Sequence, residues 1–221
     1  MTSPAPPPAF SPASDAGATA GALEPNAILD FWFADGLRLG WPSQDMNARW
    51  FGAGAVLDAD IKARFGELVL QGVAGGLTHW EPNPNYRLAL IILLDQFTRN
   101  VFRGDKHAFD GDTRARQLVL RTLESGEDQS LSWVAKVFVY MPLMHAEVLE
   151  LQEECVARFS RLVAYAPEDL KQRLQGNLDF ARQHRDIIAR FGRFPYRNAV
   201  LGRSDTPQEG EFLLRGPRFG Q

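Results

Sequence analysis

The chain has 221 residues, a formal net charge of −3, a hydrophobic content of 45% and a single cysteine. This composition is typical of one globular domain and gives no overall electrostatic attraction to nucleic acid or anionic membranes. The lone Cys155 excludes an internal disulfide and a CxxC zinc motif. No apolar run approaches the ~18 residues that a membrane-spanning helix needs.

The first 22 residues, MTSPAPPPAFSPASDAGATAGA, consist almost entirely of Pro, Ala, Ser, Gly and Thr. They contain no Lys or Arg and no apolar core, so they do not form a secretory signal. A segment of this composition cannot bury enough apolar surface to offset the entropy of ordering it. We therefore predict a disordered tail over residues 1–22, a single helical domain over 23–221, and a cytoplasmic protein.

Helical patterns begin directly after this tail. Pro25 lies near the start of EPNAILDFWF, at a first-turn position where its missing N–H costs nothing. In the stretch 56–73, apolar residues recur at helical spacing until Gly75 and Gly76 end the pattern. Asn83 is predicted to be the N-cap of the next helix, with Pro84 inside that helix.

The C-terminal half continues in the same way. DTRARQLVLRTLESG runs from an aspartate cap to a glycine. Pro142 interrupts the helical stretch 130–163, and we expect it to split that stretch into two helices. The next helix ends at Gly192, and Thr206 and Glu209 form a capping box. No segment shows sustained alternation with period two, so we predict an all-α fold of about eight helices in antiparallel hairpins.

A polar stretch directly follows an apolar segment, residues 88–94, which predicts a helix buried on every side. The polar residues of this stretch are Asp95, Gln96, Arg99, Asn100 and Arg103. Spacing of four residues puts Asp95, Arg99 and Arg103 on one helix face. Two interpretations remain open: an ion pair at the exposed end of a buried helix, which contributes only ~0.3–0.5 kcal/mol, or a polar face that enters a pocket.

A second polar set, Tyr140, His145 and Glu147, lies in the stretch YMPLMHAEVLE. The i, i+2 spacing of His145 and Glu147 points them to different helix faces, which disfavours metal ligation by this pair. They could still converge with Asp95 and His184 from separate helices. Because the characteristic pair of Glu-x-x-His motifs is absent, we predict no metal and no cofactor, and favour a hydrogen-bonded structural histidine.

The stretch HRDIIARFGRFPYRN concentrates arginines among aromatic residues. Its polar candidates are His184, Arg185, Asp186, Arg193, Arg197 and Asn198. The dipole of a helix that ends nearby favours Arg193 by ~0.3–1 kcal/mol, but it does not explain Arg197 and Asn198, which lie in a loop. Arginine is the usual residue for bidentate contacts to carboxylate or phosphate, so the concentration of arginines in this stretch indicates recognition of an anion.

Several motifs resemble those of one known family. ILDFWF, LIILLDQFTRN, YMPLMHAE, HRDIIARFGRFPYRN and TPQEGEFL resemble, in order, the bacterial domain-of-unknown-function family numbered 924, and the resemblance covers residues 24–216. It implies an all-helical fold similar to tetratricopeptide-repeat proteins, with the motifs on one inner face, and no established activity. The chain departs from the family pattern at Thr98, Ala146 and Tyr196, where proline, serine and histidine are common. A catalytic histidine at position 196 would therefore be missing.

Two classes of function follow from these residues. The first is a helical binding module whose inner polar face accepts a small anionic ligand or a peptide carboxylate. The second is an enzyme in which His145 or His184 is a general base and arginines stabilise a developing anion. RNA binding is a weaker alternative, nucleic acid as a partner is disfavoured, and no membrane partner is predicted.

One prediction joins distant parts of the chain. Arg99 and Arg197, each followed by an asparagine, are expected to meet in one anion-accepting pocket beside the two histidines. Unbalanced buried arginines are costly, so Asp95 and Asp186 are expected to balance their charge in the free protein.

Overall fold

The computed structural model describes residues 23–52 and 54–216, so the predicted tail over 1–22 lies outside the described residues. Within the described part every regular element is helical, and the prediction of an all-α fold is confirmed. The α-helices are, in chain order, α1 (Leu23–Phe33), α2 (Gly36–Leu39), α3 (Asn47–Phe51), α4 (Ala55–Val73), α5 (Pro84–Ile92), α6 (Thr98–Val101), α7 (Asp112–Glu124), α8 (Trp133–Met144), α9 (Leu149–Tyr165), α10 (Glu168–Phe191) and α11 (Pro207–Arg215).

Most of the predicted helix ends are confirmed. The side chain of Asn83 accepts two backbone N–H groups of the first turn of α5. Gly192 ends α10 in the left-handed conformation, with a φ of 69°, which glycine adopts without strain. The hydroxyl of Thr206 accepts the N–H of Glu209 while the Glu209 carboxylate accepts the N–H of Thr206, which is the predicted capping box.

The helix break that was predicted at Pro142 occurs after Met144 instead. The stretch 130–163 does divide into two helices, but α8 continues through Pro142 and ends only at Met144. All residues from Val134 to Met144 except Lys136 are buried. Burial of both sides of the helix offsets the one backbone hydrogen bond that a proline removes, because most helix stability in proteins comes from tertiary packing.

The core surrounds the helix that was predicted to be buried on every side. All residues from Leu88 to Leu94 are at most 1% exposed. The aromatic residues of α1 pack on this helix and on α8: Trp32 lies edge-on to Phe97 at 5.3 Å and to Phe138 at 5.7 Å between ring centroids. Such pairs add ~0.5–1.5 kcal/mol beyond the burial of their area. The central helix therefore delivers its polar C-terminal end to the edge of the core.

Helices α8, α9 and α10 pack against one another in sequence. Because the segments 145–148 and 166–167 that join them are short, consecutive helices run antiparallel, and α8 and α10 run in the same direction. A detailed likeness to tetratricopeptide repeats stays a prediction. Within residues 23–52 and 54–216, no helix combines the length and the apolar character needed to cross a membrane.

Candidate functional site

A π-helical turn, Leu93–Phe97, joins α5 to α6. It forms the polar C-terminal end of the central helix. The N–H of Thr98 closes this turn by donating to the carbonyl of Leu93, five residues earlier. A proline at position 98 would lack that N–H. The wider turn carries both Asp95, which is 0% exposed, and Gln96 into the interior. Such turns are rare and occur frequently at functional sites.

The carboxylate of Asp95 holds three other side chains. It accepts a hydrogen bond from Nδ1 of His145 at 2.7 Å and another from Nε2 of Gln96, and Nη1 of Arg99 lies 3.7 Å away. Burial by itself raises the pKa of Asp95, but His145 and Arg99 lower it further than burial raises it, so Asp95 is ionised. The predicted pairing of Asp95 with Arg99 is confirmed, and it is largely removed from solvent.

The third member of the predicted helix face, Arg103, is not part of it. α6 ends at Val101, and Arg103 donates to Asp58 of α4 through Nε at 2.6 Å and Nη2 at 2.9 Å. Asn100 donates to the same carboxylate at 2.8 Å. Arg103 does not share the helix face of Asp95 and Arg99, because the helix ends before it and Asp58 binds it. Arg103 and Asn100 nevertheless both line the cavity described below.

The two arginines that were predicted to meet do lie together, and they share a carboxylate. Arg99 donates through both Nη atoms to Asp112 at 2.9 and 3.2 Å, and Nη1 of Arg197 lies 3.8 Å from the same side chain. Asp186, the predicted counter-charge, lies on the exposed side of α10 and pairs with Arg185 at 2.7 Å. The balancing role of Asp186 was therefore wrongly predicted, and Asp112 takes it.

Gly111 explains how Asp112 reaches the site. A Cβ atom at Gly111 would lie 2.2 Å from the carbonyl oxygen of Leu94, so only glycine permits this approach of α7 to the π turn. Asp112 then occupies the first turn of α7 rather than its predicted cap, and the helix dipole favours a carboxylate there. No helical periodicity marks this approach, which is why the sequence did not reveal Asp112.

The side chain of Arg197 is the most confined cation of the site. It leaves the 3-10 turn Pro195–Arg197, is 5% exposed, and lies between the rings of Phe109 and Phe194 at 4.8 and 4.5 Å. Nη1 donates to the backbone carbonyl of His145 at 3.0 Å, whereas the buried Nε has no hydrogen-bond partner among the described residues. Burial, followed by repulsion from Arg99, lowers the pKa of Arg197. Arginine nevertheless stays protonated in proteins.

His184 adjoins this cation and is 5% exposed. Its Nδ1 lies 2.8 Å from the carbonyl oxygen of Phe180, so Nδ1 carries the proton that is donated there. The ring centroid lies 6.4 Å from that of His145 and 5.5 Å from that of Phe194. Burial, followed by repulsion from His145 and nearby arginines, lowers the pKa of His184 to about 3, so this histidine is neutral at pH 7.

These groups line a cavity of about 640 Å³, a volume within the usual range for small-molecule sites. Its polar end is formed by Gln96, Arg99, His145, His184, Tyr196 and Arg197. Its apolar wall is formed by Trp41, Trp50, Val137, Met141, Met144 and Phe180. Trp41 and Trp50 were not predicted, because Trp41 lies in the loop that follows α2 and Trp50 lies in the five-residue α3, where no periodic pattern can appear.

Tyr140 lies outside the cavity. Its hydroxyl donates to Asp128 at 2.7 Å, and the same carboxylate accepts from Arg158 of α9 at 3.1 Å. Adjacent residues of a helix point about 100° apart, so Met141 faces the cavity while Tyr140 faces α9. The sequence proximity of Tyr140 to His145 was a misleading signal.

Glu147 fixes the loop that carries Arg197. Its carboxylate accepts from Nη1 and Nη2 of Arg203 at 2.6 and 2.9 Å and from the backbone N–H of Phe194 at 2.8 Å. Burial raises the pKa of Glu147, but the bonds from Arg203 and Phe194 bring it below its ordinary value. Glu147 therefore supports the site from outside the cavity.

Arg193 and Asn198 also belong to this support. Arg193 donates to both carboxylate oxygens of Glu209 at 2.6 and 2.8 Å. Asn198 is buried and donates to Asp205 at 2.7 Å, while its own oxygen accepts from Arg203. Both were predicted as ligand-binding residues, but neither side chain lines the cavity, so they lie near the site and not in it.

Replacing Glu147 with alanine is expected to loosen the segment 193–198 without unfolding the helices. The variant removes an acceptor of the Phe194 N–H and leaves Arg203 without its carboxylate partner. Amide hydrogen exchange should become at least about tenfold faster in this segment, because a buried hydrogen bond contributes about 1 kcal/mol and one to a charged group more. Exposed Glu150→Ala is the control, and unchanged protection in Glu147→Ala would contradict this role.

The side chains considered as metal ligands, Asp95, His145, Glu147 and His184, do not form a metal-binding cluster. Glu147 faces Arg203, away from the Asp95–His145 pair. Within the part of the chain that the structure describes, no group of three or more His, Cys, Asp or Glu side chains could hold a metal ion.

Comparisons with known proteins agree with the fold. The chain matches the model of a family described as "bacterial protein of unknown function" over residues 28–217. It is similar to a solved structure of a protein of unknown function from Agrobacterium tumefaciens, with 35% identity and a TM-score of 0.71, covering 88% of this chain and 99% of that chain. No curated protein matches the chain. Since the family model spans most of the sequence, the chain belongs to the bacterial family of unknown function numbered 924.

Proposed function

We propose that this protein binds a small anionic ligand, or the terminal carboxylate of a peptide, at the polar end of the cavity. The observation that carries the proposal is the state of Arg197. This buried cation donates to one neutral carbonyl and lies 3.8 Å from a carboxylate that already binds Arg99 at 2.9 and 3.2 Å. Its buried Nε has no hydrogen-bond partner among residues 23–52 and 54–216.

A ligand anion would improve this arrangement. Arginine presents its donors in a planar fork that fits carboxylate and phosphate, and charge-assisted hydrogen bonds are about twice as strong as neutral ones. Gln96 and the two histidines line the same end of the cavity and offer further hydrogen-bonding groups. The helical scaffold, with the tetratricopeptide-like arrangement that the family resemblance implies, would serve to hold these groups on its inner face.

The test is calorimetric titration of the full chain with phosphate, succinate and a short peptide that ends in a free carboxylate. We expect at least one of these anions to bind and to raise the melting temperature by mass action. Arg99→Lys and Arg197→Lys should each weaken binding about tenfold or more, because lysine cannot reproduce bidentate contacts. Arg185→Lys, on the exposed side of α10, is the matched control. Absence of binding, or full binding by both cavity variants, would overturn the proposal.

A second candidate is an enzyme in which His145 is a general base. The observation in its favour is the 2.7 Å contact between Nδ1 of His145 and the ionised Asp95, which would orient the ring and leave Nε2 as the acceptor. Without an identified substrate this candidate ranks below binding. RNA binding stays a prediction from the composition of residues 184–198.

A further inference from the structure

The cavity has a polar end and an apolar end, and α8 connects them. His145, at the C-terminal end of α8, touches Arg197 through its carbonyl. Met144, Met141 and Val137 line the cavity in the direction of the N-terminal end of the helix. With a rise of 1.5 Å per residue, Val137 lies about 12 Å from His145 along the helix axis.

The aromatic residues of the wall lie toward the far end of α8. The N–H of Val134 donates to the carbonyl of Gly40 at 3.0 Å, which places the adjacent Trp41 beside the start of that helix. Trp41 packs edge-on against Trp50, with ring centroids 5.9 Å apart. Both indoles line the cavity at its far end, whereas the buried Arg197 and Arg99 lie at its near end; Arg103 and the exposed Arg173 also line it.

The opposite wall of the cavity is formed by α10, which runs in the same direction as α8. His184 lies at the polar end near His145, and Phe180 and Gly176 follow at intervals of four residues along the face that lines the cavity. Gly176 therefore also lies about 12 Å from the polar end. The two walls form an elongated slot rather than a compact anion pocket.

Gly176 borders open space at the far end of this slot. Glycine in a helix interior is less stable than alanine by ~0.5–1 kcal/mol. Neither its backbone nor the packing requires a glycine, because its φ is not left-handed and a Cβ atom there would have no described heavy atom within 4 Å. A glycine at this position leaves space for a ligand.

We propose that the ligand is an elongated amphipathic anion: one carboxylate or phosphate head, bound beside Arg197, on an apolar body about 12 Å long that lies between α8 and α10. This assignment rests on the proposed anion binding and adds the class of molecule. The body would contact Met141, Met144 and Phe180 and end near the two indoles. Exposed Gln172 and Arg173 line the rim, so the outer end of the slot is open to solvent.

The test is calorimetric titration of the full chain with acetate, butyrate, octanoate and octyl phosphate, and with neutral octanol as the control for the head. Burial of each methylene is worth about fourfold in affinity, so octanoate, with four more methylenes, should bind roughly 200-fold more tightly than butyrate. Octanol should bind more weakly than octanoate. Tighter binding of octanoate than of octyl phosphate would assign a carboxylate head, and the reverse would assign a phosphate head.

A variant at the apolar end tests binding of the apolar body independently of binding of the anionic head. Gly176→Leu fills the slot without changing a charge, and it should weaken octanoate at least tenfold while leaving acetate binding and the melting temperature undiminished. Gly66→Leu, on α4, is the matched control: a Cβ atom there would meet only the Lys62 side chain, at 3.7 Å. It should leave both ligands unaffected.

The outcomes distinguish this inference from the anion site itself. If short anions bind as tightly as octanoate, or Gly176→Leu leaves octanoate unchanged, the amphipathic class is wrong while anion binding stands. If octanol binds as tightly as octanoate, the cationic end does not recognise the head, and both proposals fail. If no anion of either series binds, both fail together.

Discussion

Replacing Asp95 with alanine is expected to lower the free energy of unfolding by about 3–5 kcal/mol, because it breaks a buried ion pair from one side. Asp95 is completely buried, and three partners depend on its carboxylate: Nδ1 of His145, Nε2 of Gln96 and the guanidinium of Arg99. Asp112 would still balance Arg99, but the donors of His145 and Gln96 would be left buried without their acceptor.

Urea unfolding at pH 7, compared between the wild type and Asp95→Ala, measures this loss. Asp186→Ala is the matched control, because that aspartate is exposed and pairs with the neighbouring Arg185. Surface substitutions of this kind change stability by no more than about 0.5 kcal/mol. A loss in Asp95→Ala as small as that of the control would mean that the pair behaves as an exposed one.

Stability is expected to fall by about 2 kcal/mol between pH 7 and pH 5 on account of His184, whose ordinary pKa of ~6.5 would apply in the unfolded chain. In the folded protein, burial lowers its pKa to about 3. Below pH 6.5 the unfolded chain therefore takes up a proton that the folded protein does not bind. The difference grows as the pH falls through this window and favours unfolding.

The measurement is the free energy of unfolding of the wild type and of His184→Asn at pH 7 and pH 5. The asparagine amide can occupy the position of Nδ1 and donate to Phe180, but it does not titrate. The quantity compared is the change in the free energy of unfolding between pH 7 and pH 5. In His184→Asn this change should be smaller than in the wild type by about 2 kcal/mol. An unchanged dependence in His184→Asn would show that this ring becomes protonated in the folded state.

The accuracy of the sequence predictions follows the range of the interactions involved. Asn83 and the Thr206–Glu209 box were correctly placed because a cap acts within three residues. The break assigned to Pro142 was displaced because packing of α8 in the core outweighs one lost backbone bond. Arg103 was misplaced because the choice between Asp95 and Asp58 depends on where α4 lies.

The candidate site shows the same division. Arg99, Arg197, His145 and His184 were recognised from their residue types and from polar positions in apolar surroundings, and the structure brings them together. Asp112 was missed because its role depends on the close approach that Gly111 permits. The two indoles of the cavity wall, Trp41 and Trp50, were missed because a loop and a short helix carry them.

The amino-acid sequence by itself determined the helices, their caps, the buried central helix and the chemical character of one site. These features depend on backbone geometry and hydrophobic periodicity, which act over a few turns of chain. Only the tertiary structure decided which carboxylate balances which arginine, that Tyr140 turns away, and that the cavity extends from a cationic end to an aromatic one. Those outcomes depend on contacts between residues far apart in sequence, such as Asp95 with His145 and Asp58 with Arg103, whose energies are set by distance and burial.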